Sequence, residues 1–226
     1  MIKILALYSN NNFNIVGKEE MKKIIKPNSK VLCFSGADYK WQLDNLEELR
    51  TGRYYEEQYA PFRDLGVQPG NFYIVHPKDN IRTIKNEFIC SDIIFLAGGH
   101  MSVIDMLLNY FGLWTLMKVS DKHIIGVSAG ALIQLEKYDI TPYIDDDYDY
   151  YDTCKGLGLV KDLRLIVHYN NERKEHQEIL QYLTDLVINE MCETNKDIMV
   201  VALSDNEGII IDNDKNYELK VFGRDD

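Results

Sequence analysis

Short, continuously apolar runs alternate with charged, helix-like segments along most of this chain, and that alternation leaves few folds open. The runs are Ile2 to Leu7, Lys30 to Phe34, Phe72 to Val75, Ile93 to Ala97 and Ile124 to Val127, each bounded by turn residues. Runs this short, without polar alternation, suit strands that are buried on both faces of a parallel sheet. Between them, Gly17 to Ile25, Trp41 to Leu65, Ile81 to Phe88 and Met101 to Val119 read as helices. In the longest of these, Leu43, Leu46, Leu49 and Tyr54 recur at helical spacing. The repeated order of strand and helix predicts an α/β fold with a doubly wound, mostly parallel sheet flanked by helices.

After the last of these strands the pattern breaks at Lys137 to Asp152, a Tyr/Asp-rich stretch that reads as a loop. A strand is expected at Leu163 to Val167, a helix at Glu172 to Cys192, and three strands at Ile198 to Leu203, Gly208 to Asp212 and Tyr217 to Phe222. The last two suggest a C-terminal β-hairpin region. No repeat or linker divides the 226 residues, so a single domain is expected over 1–226.

A formal net charge of -11 argues against sequence-independent nucleic-acid binding, which needs a surplus of Lys and Arg facing phosphates. A short peptide or another small molecule is the expected partner. Cys33, Cys90, Cys154 and Cys192 are scattered, with no C-x-x-C pair and no histidine at ligand spacing. Neither a disulfide framework, nor a metal site, nor a cofactor is therefore expected. The opening apolar run is too short for a signal-peptide core, and no run reaches membrane-spanning length, so a cytoplasmic protein with no membrane partner is expected.

Chemistry concentrates at Ile124-Ile125-Gly126-Val127-Ser128-Ala129-Gly130-Ala131. This is a strand that stops abruptly and presents a serine at the start of a helix. Glycines on either side permit the crowded turn of a nucleophile elbow. The Ala129 N–H, at a helix start, faces the way oxyanion donors face. A second glycine turn, Phe95-Leu96-Ala97-Gly98-Gly99-His100, follows the preceding strand, and its unobstructed N–H groups suit the other side of an oxyanion.

A serine nucleophile needs a base, and the base needs an orienting carboxylate. His168 ends a strand and so reaches the rim where α/β sheets collect ligands; His76, in Val75-His76-Pro77, occupies a similar position. For the carboxylate, Glu207 in Ser204-Asp205-Asn206-Glu207-Gly208 and the acidic stretch Asp139 to Asp152 are both open, and Asn206-Glu207-Gly208 is also a plain turn sequence.

These segments together resemble the dipeptidase E (aspartyl dipeptidase) and cyanophycinase family of serine peptidases, over nearly the whole chain. Gly126-Val127-Ser128-Ala129-Gly130-Ala131 is similar to the family's G-x-S-A-G-A elbow, and Leu96 to His100 to its glycine-rich oxyanion loop. Val167-His168-Tyr169 is similar to its P-H-[FY] motif, and Ala202 to Ile209 to the late segment that carries the acid in members with a Ser-His-Glu triad. The resemblance implies a flavodoxin-like fold of the class I glutamine amidotransferase type. It further implies Ser128 as nucleophile, His168 as general base and then acid, Glu207 as the group that orients the imidazole, and Gly99 and Ala129 as oxyanion donors, with Gly98 shaping the loop. Ala97 and His100 replace the first glycine and the asparagine of dipeptidase E's G-G-G-N-T, and Val167 replaces a proline.

The function expected is serine-type peptidase or dipeptidase chemistry on short peptides through an acyl-enzyme on Ser128. Two rivals are an esterase built on the same elbow and a non-catalytic module on an amidotransferase-like scaffold. If Asp145, Asp146 and Asp147 border the site, their charge favours a free α-amine or a basic side chain on the substrate.

Overall fold

The computed structural model describes residues 4–140, 152–170, 172–212 and 218–223. Its strands are β1 (Ile4–Tyr8), β2 (Val31–Gly36), β3 (Phe72–Ile74), β4 (Ile93–Gly99), β5 (His123–Val127), β6 (Lys137–Ile140), β7 (Asp152–Lys155), β8 (Leu163–Ile166), β9 (Met199–Ala202), β10 (Gly208–Asp212) and β11 (Glu218–Phe222). Seven of them form one sheet in the order β11-β10-β1-β5-β4-β2-β3. The five strands from β1 to β3 in that order are parallel, and β10 and β11 extend the β1 edge as an antiparallel hairpin. Mostly parallel and flanked by helices, the sheet has the α/β class that the alternating pattern predicts.

The helices are α1 (Lys18–Ile24), α2 (Tyr39–Asp44), α3 (Leu46–Arg50), α4 (Arg53–Asp64), α5 (Ile81–Cys90), α6 (Met101–Tyr110), α7 (Trp114–Val119), α8 (Ala129–Leu132) and α9 (Lys174–Thr194). Side-chain alternation along the strands sorts the core into two layers, one on each sheet face. Leu5, Leu7, Leu96 and Ile124 pack with α5 to α8, whereas Ala6, Tyr8, Phe95 and Ile125 pack with α1 and α4. No described helix is long and apolar enough to cross a membrane.

Three expectations are corrected here. The helix read over Trp41 to Leu65 is three helices, interrupted at Asn45 and at Thr51-Gly52. Met101 to Val119 is likewise two, with Gly112 at φ 66° between them. Apolar spacing carries across such breaks because each short helix buries the same face. The ends of the Lys137 to Asp152 stretch are not loop: β6 and β7 pair antiparallel, from Lys137 opposite Lys155 to Ile140 opposite Asp152. Finally, among the described residues, β8 pairs in parallel with β9 as a separate two-stranded sheet.

Candidate active site

Every group of the site sits where a strand ends. β5 stops at Val127, and Ser128 takes φ 52° and ψ -117°, a strained conformation for a residue with a side chain. The backbone holds it there: the Ser128 N–H donates to the Tyr8 carbonyl (2.8 Å), and the Ser128 carbonyl accepts from Ala131 and Leu132 as α8 begins. The flanking glycines have packing reasons. A Cβ on Gly126 would lie 2.1 Å from the Gly130 carbonyl oxygen, and one on Gly130 would lie 1.9 Å from that of Leu96. Strand and helix can therefore approach closely enough to form the elbow only with glycine at both places.

The second glycine turn lies beside the first. A Cβ on Gly98 would sit 3.5 Å from the Ser128 Cβ. Gly99 has φ 117°, and a Cβ there would meet the Gly36 carbonyl oxygen at 2.3 Å. Gly99 and Ala129 line the same 320 Å³ cavity as Ser128 and His168. The three oxyanion candidates are thus gathered around the serine.

His168 follows β8 with φ 55°, and its Nε2 is 2.9 Å from the Ser128 Oγ. Its Nδ1 is 2.6 Å from the Oδ1 of Asp205. The carboxylate expected at this point was that of Glu207, which instead accepts the Ser204 N–H at 2.7 Å and is largely buried. The reason is the turn itself. The Glu207 N–H bonds back to the Ser204 carbonyl (3.0 Å), so residues 205 and 207 leave the reversal in different directions. Asp205 projects to the rim, where its side chain is 58% exposed, and Glu207 folds inward to cap the turn.

Ser9, at the end of β1, is a member of the site that the sequence reading does not single out. Its hydroxyl is fully buried, accepts the His168 backbone N–H at 2.6 Å, and donates to the Asp205 Oδ1 at 3.4 Å. One hydroxyl thereby ties the strained His168 backbone to the oxygen that contacts its ring. The Asp205 carbonyl in turn accepts from the Asn12 side-chain amide (2.8 Å). The segment carrying Ser9 and Asn12 is pinned by buried Phe13, whose ring lies 4.9 Å from that of Phe62 and 5.9 Å from that of Phe95. The available signal was position: Ser9 ends a central strand on the ligand-collecting rim.

His76 plays another part. Its Nδ1 accepts the Lys78 N–H (3.1 Å), which leaves Nε2 to donate to the Gln42 carbonyl (3.0 Å). Burial holds its pKa below the ordinary histidine value, so a neutral, structural imidazole results. Of the acidic stretch, Asp139 lies in β6 and Asp152 in β7, while Asp145, Asp146 and Asp147 fall outside the described residues. Asp139 accepts from the Thr153 hydroxyl (2.6 Å) and faces Arg164 at 3.7 Å. Burial raises its pKa above the usual carboxylate value despite both partners. Among the described residues, no group of three His, Cys, Asp or Glu side chains is arranged to hold a metal ion.

A hydroxyl, an imidazole and a carboxylate in hydrogen-bonded series, at the strand ends of a mostly parallel α/β sheet, are the parts that hydrolytic enzymes of this architecture use. Residues 48–219 match the model of peptidase family S51, and the chain belongs to that family. It is thus a peptidase-family protein of the dipeptidase E type. Among solved structures it resembles a candidate peptidase E from Listeria monocytogenes EGD-e, at 20% identity and a TM-score of 0.62, covering 98% of each chain. It also resembles a peptidase from an acI-B1 Actinobacterium, at 14% identity and a TM-score of 0.60, covering 99% of this chain and 88% of the other. Likenesses at such identity speak for the fold. No curated protein matches the sequence.

Proposed function

We propose that this protein is a serine peptidase that hydrolyses short peptides through an acyl-enzyme on Ser128, with His168 as base and Asp205, rather than Glu207, as the orienting acid. The observation that carries the reading is the continuous series Ser128 Oγ, His168 Nε2, His168 Nδ1, Asp205 Oδ1, with separations of 2.9 and 2.6 Å. Both distances lie in the range that proton transfer and a charge-assisted hydrogen bond require.

The chemistry follows from the tautomer. With its Nδ1–H donated to Asp205, the neutral ring has a lone pair on Nε2 aimed at the serine hydroxyl. As Oγ adds to a peptide carbonyl carbon, its proton passes to Nε2, and the imidazolium so formed is stabilised by the Asp205 carboxylate. The carbonyl oxygen, now negative, is received by the N–H groups of Gly99 and Ala129. Collapse of the tetrahedral intermediate breaks the C–N bond, and Nε2–H delivers its proton to the departing amine. Water then repeats the sequence on the ester and restores Ser128.

Hydrolysis of a dipeptide panel by wild type and by Ser128→Ala tests the proposal. Turnover by the wild type with a loss of at least about 1,000-fold in the variant is expected. Equal rates in the two proteins would overturn it.

A further inference from the structure

The cavity of 320 Å³ that opens at Ser128 has a composition that bears on substrate choice. From the nucleophile it runs between Leu132 of α8, Ile140 of β6, Leu165 of β8 and Leu183 of α9. Its volume is that of about ten water molecules, ample for a side chain of leucine or methionine size. Apart from its histidines, Asp139 is the one ionisable group among the described residues that line it.

Among the described residues that line the cavity, no Lys or Arg answers a substrate carboxylate. Arg164, which faces the Asp139 carboxylate, is 3% exposed and does not line the cavity, and Arg173 lines a separate cavity on the Asp205 side of His168. The Arg164 guanidinium is held at 2.5 Å by Glu190 and faces Asp139 at 3.7 Å, so its charge is already matched by two carboxylates. An acidic side chain entering the cavity would therefore lose its hydration, gain no counter-charge and meet Asp139. A lysine ammonium fares little better, because Asp139 is already engaged by Thr153 and Arg164. An aliphatic side chain would leave water for the leucine- and isoleucine-lined wall at no such cost.

We infer that this cavity receives the side chain of the residue whose carbonyl Ser128 attacks, and that it selects an uncharged aliphatic side chain, of leucine or methionine type, against an acidic one. The inference rests on the proposed role of Ser128, and its test separates the two. Calorimetric binding to Ser128→Ala, which needs no turnover, is measured for Leu-Leu, Asp-Leu and Lys-Leu. Hydrolysis of the same dipeptides, and of Gly-Leu, is measured with the wild type and with Leu165→Phe and Leu183→Phe, two variants that fill the cavity from different elements.

Leu-Leu is expected to bind at least about 10-fold more tightly than Asp-Leu or Lys-Leu, and to be hydrolysed with about 100-fold higher kcat/KM than Asp-Leu. Whichever filling variant folds should lose at least about 10-fold more kcat/KM on Leu-Leu than on Gly-Leu. Asp-Leu or Lys-Leu bound as tightly as Leu-Leu, or Leu-Leu and Gly-Leu affected alike by a folded filling variant, would overturn the inference. Selective binding of Leu-Leu without hydrolysis by the wild type would instead sink the peptidase reading and leave the cavity assignment standing.

Discussion

Replacing Asp205 and Glu207 separately distinguishes two carboxylates that lie two residues apart in one turn. Asp205 Oδ1 is 2.6 Å from His168 Nδ1, and the proposed mechanism places a full positive charge on that ring in the transition state. Charges separated by about 4 Å interact by about 1 kcal/mol in bulk water and about 4 kcal/mol at an effective dielectric of 20. Asp205 is 58% exposed and His168 38%, so the effect should lie between these limits. A loss of about 2.5 kcal/mol on Asp205→Ala corresponds to a fall of about 70-fold in kcat, with KM little changed. This is well short of the roughly 10,000-fold seen where such an acid is buried.

Glu207→Ala should behave differently. It removes a largely buried carboxylate that accepts the Ser204 N–H, at a stability cost of about 1–2 kcal/mol, with kcat within about fivefold of wild type in the folded protein. Steady-state kinetics on the best dipeptide, paired with thermal denaturation of each variant, reads both effects. If Glu207→Ala lost activity by 100-fold or more while Asp205→Ala stayed within threefold of wild type, the assignment of the acid would be refuted.

Other expectations follow from single contacts. Ser9→Ala removes the hydrogen bonds to the His168 backbone and to Asp205, and should lower kcat about 10-fold with KM unchanged; recovery by Ser9→Thr, measured by the same kinetics, would mark the hydroxyl as the cause. Gly130→Ala drives a methyl to within 1.9 Å of the Leu96 carbonyl oxygen and should cost about 3 kcal/mol, seen as a Tm about 10 °C lower. Burial alone would raise the pKa of Glu190, but hydrogen bonds from Lys137 and Arg164 outweigh it and hold the pKa below the usual glutamate value. A depressed folded-state pKa stabilises above the unfolded value and is lost as pH falls through the folded one. Wild-type Tm should therefore drop as pH falls from about 5 towards 3, and Glu190→Gln should be less stable at neutral pH with a flatter acid limb.

Much of this architecture could be read from residue order. Parallel strands are buried on both faces, so β1 to β5 announce themselves as apolar runs and each is found within a few residues of its expected place. Ser128, His168 and the glycine turn at Gly98 and Gly99 were legible because strand ends and close backbone approach restrict residue type. Helix breaks at Asn45 and Gly52 were hidden, since apolar spacing continues across them. The choice between Asp205 and Glu207 was hidden for a different reason: a turn accepts either carboxylate, and only the direction in which each leaves the reversal decides which reaches the imidazole. Ser9 depends on contacts 159 and 196 residues distant in sequence, which no local pattern encodes.

Rapid acid quench of the enzyme during turnover of a leucyl peptide, followed by peptide mass spectrometry, tests the role of Ser128 most directly. A leucyl adduct on the peptide containing Ser128 is expected, with neither adduct nor turnover in Ser128→Ala. Sustained hydrolysis by Ser128→Ala at the wild-type rate would contradict that role.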